Sequence, residues 1–550
     1  ADNNTGIGFS ALAANTTGTG NSAVGMNSLA SNTTANDNTS IGKGTLANNT
    51  TGASNTGIGR AALGQNTTGT ENVAIGMQAL DASGAGTDGS YNVAIGNDAL
   101  GANTEGQFNV GVGRRALYAN TTADENTAVG YLSLYANTTG ATNVAVGVSA
   151  LQENTTASNN TAVGNRALTA NTTGYNNTVV GSQSTDANTT GHSNTAVGRV
   201  SLTANTTGDQ NIAVGVSALE ANTTASNSVA IGNNALAAST TQGNLTAVGH
   251  QALAANTSGD SNTAVGYVAL TANTTGSANT AVGLSALDAN TTGGSNTAVG
   301  AGALGANTTG ADNTAVGKNS LATATTAGSN IAIGKNALNA NTTGDQNVGI
   351  GHNALLTNTT GAHNIGIGKS ALLVNTTGTQ NIAIGSLAGD ALTTGNYNVA
   401  MGHEALSANV TDDSNTAIGN NALKVANGGA HNTAVGSASL RSLTTGDYNV
   451  GVGSQTFDVH TTGNRNTAVG YAALNASTTG ADNVAIGFDA MNDVTTGHSN
   501  IAIGAYSMDA LTTGDSNVAI GHQALGVNTA NGNVAVGYSA LKVISTGTSN

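Results

Sequence analysis

Short apolar triplets recur along this chain with a fixed period. Each ends in Val-Gly or Ile-Gly, with Met401-Gly402 the lone exception, so the glycine marks the repeat. It occurs at Gly8, Gly25, Gly42, Gly59 and onward to Gly537, 32 times in all. All spacings but two are 17 residues: 20 separate Gly76 from Gly96, and 16 separate Gly521 from Gly537. A repeat that never loses register predicts a solenoid with one structural unit per repeat. The unit reads Asn, Thr/Val/Ile, Ala/Gly, Val/Ile, Gly, two variable residues, Ala, Leu, a variable residue, Ala, Asn, Thr, Thr, Gly and two variable residues. Residues 262–278 carry it without a break.

Residue choice within the unit predicts the elements. Thr263-Ala264-Val265, bounded by Asn262 and Gly266, reads as a short strand. The first and third residues of the triplet are branched, apart from Ser22 and Met401, and they share one face. The middle residue is Ala or Gly, apart from Ser40 and Val179, and points to the other face. Such a strand is expected to be buried on both faces, with a second sheet or another chain packed closely on the Ala/Gly column. Ala269-Leu270-Thr271-Ala272 is expected to form a second strand whose Leu fills the coil. A single helical turn is the alternative, since Ala-Leu-x-Ala favours helix locally. Two or three short strands per coil follow. The fold class is therefore all-β, a parallel β-solenoid or β-roll of about 32 coils and one continuous repeat domain over 1–550. Coils about 4.8 Å apart would give a stack about 150 Å long.

Composition fits this picture. The chain holds 77 glycines, no proline, cysteine or tryptophan, 3% aromatic and 7% charged residues, where ordinary domains carry about 25% charged. Proline would remove an N–H that a neighbouring coil needs. The formal charge of −15 is spread thinly, which excludes the clustered basic surface that nucleic acid requires. No 18-residue apolar run predicts a membrane span within this segment.

Few residues suggest chemistry. The Asn that opens each coil, replaced only by Ser228 and Leu245, reads as a ladder of stacked amides. The second Asn creates Asn-x-Thr sequons, among them Asn15, Asn66, Asn137, Asn205, Asn290 and Asn375. Leu392, Leu443, Val494 and Leu511 stand at the same position, so an inward-facing turn ladder is expected there rather than a glycan site. Thr274 and Thr275 are adjacent and diverge, whereas an ice-binding face wants both hydroxyls on one side. Asp209, Asp345 and Asp515 follow Thr-Thr-Gly without the glycine context of calcium-binding repeats. The nine histidines form no metal-type pair and are expected on the surface. Gly349-Ile350-Gly351 lacks the helix and Lys of a phosphate loop. The largest break in the pattern, 81–91, holds only Asp81 and Asp88. No catalytic, cofactor-binding or metal-ligating residue is expected, and the chain does not read as an enzyme.

The position after each repeat glycine is the most varied and favours long side chains. It holds Lys43, Arg60, Arg114, Arg199, Lys318, Lys335 and Lys369, and elsewhere Tyr131, Tyr267, Tyr471, Tyr538, His250, His352, His403 and His522. These are expected to line one solvent-facing stripe.

Asn92-Val93-Ala94-Ile95-Gly96 and Asn483-Val484-Ala485-Ile486-Gly487, each followed by an Ala-Leu or Ala-Met segment, resemble the head repeats of trimeric autotransporter adhesins. The resemblance covers the whole chain, although the repeat here is a few residues longer and the family's neck, stalk and anchor barrel are not present. It implies a left-handed β-roll, three chains around one axis, displayed on the cell surface for adhesion. The expected partners are other copies of the chain, as a homotrimer or a filament stacked end to end, and a glycan or extracellular-matrix surface. A carbohydrate-degrading β-helix is the remaining alternative. The chain begins in register without Met, and Asn550 stands where the next coil's Asn would, which suggests a piece of a longer fibre.

Overall fold

The computed structural model describes residues 2–82, 89–528 and 530–544. The chain divides into two compact units, Ala1–Thr275 and Gly276–Asn550. In the first, strands β1 (Thr5–Ile7) to β16 (Thr263–Val265) follow one per repeat. In the second, β17 (Thr280–Val282) to β31 (Val518–Ile520) do the same. They are followed by β32 (Val527–Asn528), β33 (Val534–Val536) and β34 (Val543–Ile544). Within each unit every repeat strand is three residues long and pairs in parallel with its counterpart one repeat on. Thr161, Ala162 and Val163 lie on Thr178, Val179 and Val180, and Thr297, Ala298 and Val299 lie on Thr314, Ala315 and Val316. The long spacing does not disturb the register, since Val73 pairs with Val93. Nor does the short one, where Val518 pairs with Val534. In the second unit β32 also pairs in parallel with β34, Val527 on Val543.

The Ala-Leu-x-Ala segment is neither strand nor helix. It is a run of turns in which two residues per coil take the left-handed conformation, Gln251 at φ 54° and Leu253 at φ 52° in one example. Each coil therefore contributes one strand instead of two or three. The alternation of backbone hand explains why. It turns the Gln251 N–H back to the Asn233 carbonyl at 2.9 Å and the Leu253 N–H forward to the Ala269 carbonyl at 3.0 Å. The left-handed conformation costs about 1–2 kcal/mol for a residue with a Cβ. Burying the leucine, which is fully enclosed, returns about 1.5–3 kcal/mol.

The repeat glycine is fixed by close approach. Gly147 sits at φ 135°, and a Cβ there would lie 2.3 Å from the Gly164 carbonyl oxygen of the next coil. No side chain fits between coils at that height.

The strand faces are the reverse of the sequence expectation. The small middle residue points into the coil: Ala264, Ala298 and most of their counterparts are 0% exposed, packed in one interior with the leucines. The branched residues point out, with Ile331 39%, Ile333 39% and Val299 36% exposed. The physical reason is volume. A coil of 17 residues with a single strand is narrow, and its interior holds the Leu, two Ala and two Asn, with no space for a further branched pair.

Candidate interaction surface

The interior amides are used by the stack itself. The Asn that opens each coil accepts the backbone N–H of its successor, as when Asn126 Oδ1 receives Asn143 N–H at 2.9 Å. Its Nδ2 donates to the turn carbonyl below, Asn126 to Gly140 at 2.9 Å. The second Asn forms its own ladder. Asn154 Nδ2 donates to Asn137 Oδ1 at 2.9 Å and to the Ala157 carbonyl at 2.9 Å. Both ladders are buried. Of the sequon asparagines, Asn66, Asn137, Asn205, Asn290 and Asn375 are fully enclosed, so the folded coil leaves no room for a glycan on them.

The Thr-Thr pair divides its work. Thr138 Oγ1 donates to the Thr155 carbonyl of the next coil at 3.0 Å, while Thr139 and Thr275 are exposed. The residue after Thr-Thr-Gly caps the coil before it. Asp209, Asp345 and Asp515 accept the N–H of His192, Gly328 and His498 at 2.7–2.8 Å. Asn464 and Ser158 fill the same place for Asp447 and Ala141. This is backbone chemistry and needs no cation. Among the described residues no group of three or more His, Asp or Glu side chains is placed to hold a metal ion, and no cavity is found.

Histidine placement departs from expectation at one site. His460 replaces a second-ladder Asn and is 0% exposed. Its Nε2 lies 3.0 Å from the Gly463 carbonyl and its Nδ1 3.2 Å from Ser477 Oγ, and burial holds its pKa below the usual histidine value. A Leu and an Asn from the standard repeat become Phe457 and His460 here, with ring centroids 5.0 Å apart. The carboxylates Asp186, Asp288, Asp390 and Asp509, each just after the interior leucine or its substitute, are pushed above the usual carboxylate range by burial. So is Asp81. Asp88 lies outside the described residues.

The stripe after the repeat glycine is on the surface as expected. Lys318, Lys335, Lys369, Tyr267 and Tyr471 are exposed, and His522 is half-buried. Neighbouring coils stack their rings. His250 and Tyr267 lie 5.2 Å apart at 11°, Tyr471 and Phe488 5.4 Å apart at 17°, and His522 and Tyr538 5.3 Å apart at 7°. The Arg114 guanidinium lies over Tyr131 at 5.8 Å. Aromatic stacks recur outside this file, at Tyr91 on Phe108 and Tyr118 on Tyr135. Parallel stacking turns ring faces toward one another and leaves edges to solvent, so these rings are not open platforms for a sugar.

A second exposed surface lies beside this stripe, and the sequence reading did not place it there. It consists of the first and third residues of every repeat strand. They are Thr, Val or Ile throughout, apart from Ser22 and Met401, and no charged residue occurs among them. The backbone N–H groups of Thr127, Thr161 and Thr195 donate to the Asn143, Asn177 and Asn211 carbonyls of the next coil at 2.8 Å. Comparison of the chain with models of known protein families and with curated proteins gives no match in either.

Proposed function

We propose that this chain is a structural segment of a cell-surface fibre that serves attachment, built like the head of a trimeric adhesin. The observation that supports this reading is that each coil spends its polar interior on the next coil. Amides, hydroxyls and carboxylates that would otherwise form a site are bonded along the stack. What remains for partners is a set of exposed files, each repeated once per coil. Such files suit many weak contacts made together, whose strength multiplies through effective concentration. Lys318, Lys335 and Lys369 would contribute charge and the stacked tyrosines their hydroxyl-bearing edges.

The test is attachment of the whole chain, coupled to beads, to surfaces coated with anionic glycan or extracellular matrix. Retention that falls at least tenfold on replacing Lys318, Lys335 and Lys369 with Ser, and Tyr131, Tyr267, Tyr471 and Tyr538 with Ser, supports the reading. Exposed substitutions of this kind usually change stability by less than about 0.5 kcal/mol, so folding should persist. Retention that is unaltered moves adhesion off this stripe, and a chain that binds no such surface overturns the reading.

A further inference from the structure

We infer that Asn427 and Gly428 form a self-modifying site, where the backbone nitrogen of Gly428 closes on the Asn427 side chain with Asp412 as base and water as the second reactant. The inference does not depend on the attachment reading and goes beyond it.

Two adjacent coils of the second unit depart together from Asn-Thr-Thr-Gly. One reads Asn409-Val410-Thr411-Asp412 and the next Ala426-Asn427-Gly428-Gly429. In an ordinary coil the N–H of the second Thr donates to the coil that follows, as Thr139 does to the Thr155 carbonyl at 3.3 Å. Asn427 N–H keeps the forward bond of the first Thr, to the Thr444 carbonyl at 3.0 Å. Gly428 N–H instead turns back to the Asp412 carboxylate, 2.5 Å from Oδ2. Asp412 stands where most coils have glycine, so the substitution is what brings a base to this nitrogen.

Asparagine followed by glycine leaves its side-chain amide carbon open to the next nitrogen, because glycine brings no Cβ beside it. The coil requires glycine there, since Gly428 sits at φ 115°. Asn427 and Gly428 are both exposed, and the Asn427 side-chain amide is bonded to none of the described residues. The asparagines that open the coils differ on both counts. They are enclosed, and in nearly every coil Thr, Val or Ile follows them. One further Asn-Gly pair occurs, Asn531-Gly532, and it is tied down. Asn531 Oδ1 accepts the Asp515 N–H at 2.8 Å, and Gly532 N–H donates to the Asp515 carbonyl at 3.0 Å. That nitrogen meets a carbonyl rather than a carboxylate.

At the reacting pair, Asp412 takes the Gly428 amide proton as the nitrogen bonds to Asn427 Cγ. The Cγ–Nδ2 bond then breaks, the proton passes to Nδ2, and ammonia leaves behind a closed succinimide ring. Water opens the ring at either carbonyl. Opening at Cγ leaves aspartate at 427. Opening at the main-chain carbonyl leaves isoaspartate, with the backbone routed through the side chain and one atom longer. Both products place a second carboxylate beside Asp412, and like charges there repel.

The experiment keeps the full chain at neutral pH over weeks, cleaves it with trypsin after Lys424 and Arg441, and weighs peptide 425–441 by mass spectrometry. The expected result is loss of ammonia and then gain of water at Asn427, with aspartate and isoaspartate forms separating on chromatography. Asn427 should react at least tenfold faster than Asn531. Asp412→Asn should slow the reaction by about tenfold or more, and its own tryptic peptide, 370–424, does not overlap the one that is read. Asn427→Thr, which restores the residue of the common repeat, should abolish it. Circular dichroism checks the fold, and should Asp412→Asn unfold, Asp412→Gly takes its place with the residue of the common repeat. A peptide 425–441 that stays unmodified, a rate no greater than at Asn531, or a rate that neither Asp412 variant lowers overturns the inference.

Discussion

Val179 and Thr185 share the interior of one coil, and their sizes trade against each other. Where the middle strand residue grows from Ala to Val, the residue that is Leu in most coils shrinks to Thr; both are 0% exposed. The exchange leaves the Thr185 hydroxyl without a hydrogen-bond partner, so volume outweighs polarity at this point. The coil of Gly451 and Phe457 makes the opposite trade. That coil loses a methyl group from the strand and gains a ring from the turn. Elsewhere Gly389 is accompanied by the buried Leu392 in place of the ladder Asn.

These trades predict what enlarging the Ala column does. Ala298→Leu places extra methylenes in a filled coil and should destabilise the chain by about 1–3 kcal/mol. The effect should appear in the melting transition and not in the number of chains per particle, because the side chain points inward. Ala298→Val together with Leu304→Thr should cost less than Ala298→Val alone. A double substitution that costs as much as the sum of its parts, measured by denaturant unfolding, would contradict the shared interior.

Much of this architecture was legible in the residue order. The period, the parallel register, the interior Leu and both asparagine ladders follow from which positions vary least. The orientation of the strand did not follow, because a triplet such as Thr263-Ala264-Val265 offers a branched face and a small face, and hydrophobicity alone sends the branched one inward. The coincident changes at 179 and 185 held the missing signal, since only residues in one enclosure need to compensate. The turn over Ala269-Leu270 was also illegible. Its left-handed Leu270 (φ 53°) runs against local preference and is held by contacts between coils. The surface stripe after the glycine was readable from its variety, whereas the ring stacking within it depends on which rings fall in adjacent coils.

The second ladder breaks at Ala324 and at Ser239, and each break leaves an oxygen unpaired. Asn307 Oδ1 has no partner next to Ala324, and Asn222 Oδ1 has none next to Ser239. Ala324→Asn should restore both the link to Asn307 and the donation to the turn carbonyl. A buried acceptor gaining its bond is worth about 1–2 kcal/mol, so the melting temperature should rise. Ala324→Leu, which fills space without a donor, should give less. Equal effects of the two substitutions in thermal unfolding would show that packing rather than the amide limits this coil.

Asp345 accepts the Gly328 N–H at 2.7 Å, a place that Asn464 fills for Asp447. Asp345→Asn should therefore be nearly neutral, and Asp345→Ala should lose about 1 kcal/mol. A chelator should leave the melting temperature unchanged in all three proteins. A chelator-dependent loss in wild type that Asp345→Asn abolishes would reveal a cation at these turns.

His460 gives the stack one acid-sensitive coil. Its Nε2–H donates to the Gly463 carbonyl, which leaves Nδ1 to accept from Ser477 Oγ. The ring is enclosed beside Phe457, and burial lowers its pKa. In the unfolded chain the ordinary value of about 6.5 applies. Above that pH neither state binds a proton here, and the histidine adds no pH dependence. As pH falls below about 6.5 the unfolded chain takes up a proton that the folded coil refuses. Stability then declines until the pH reaches the lowered folded value. Exposed histidines such as His250 and His352 lack that enclosure. His460→Asn restores the residue used elsewhere in this ladder and should remove most of the slope of unfolding free energy between about pH 7 and pH 5, around the same reference value. Hydrogen exchange should localise the acid-induced opening to residues 456–480. If wild type and His460→Asn lose stability in parallel over that range, the buried ring is not the group that responds.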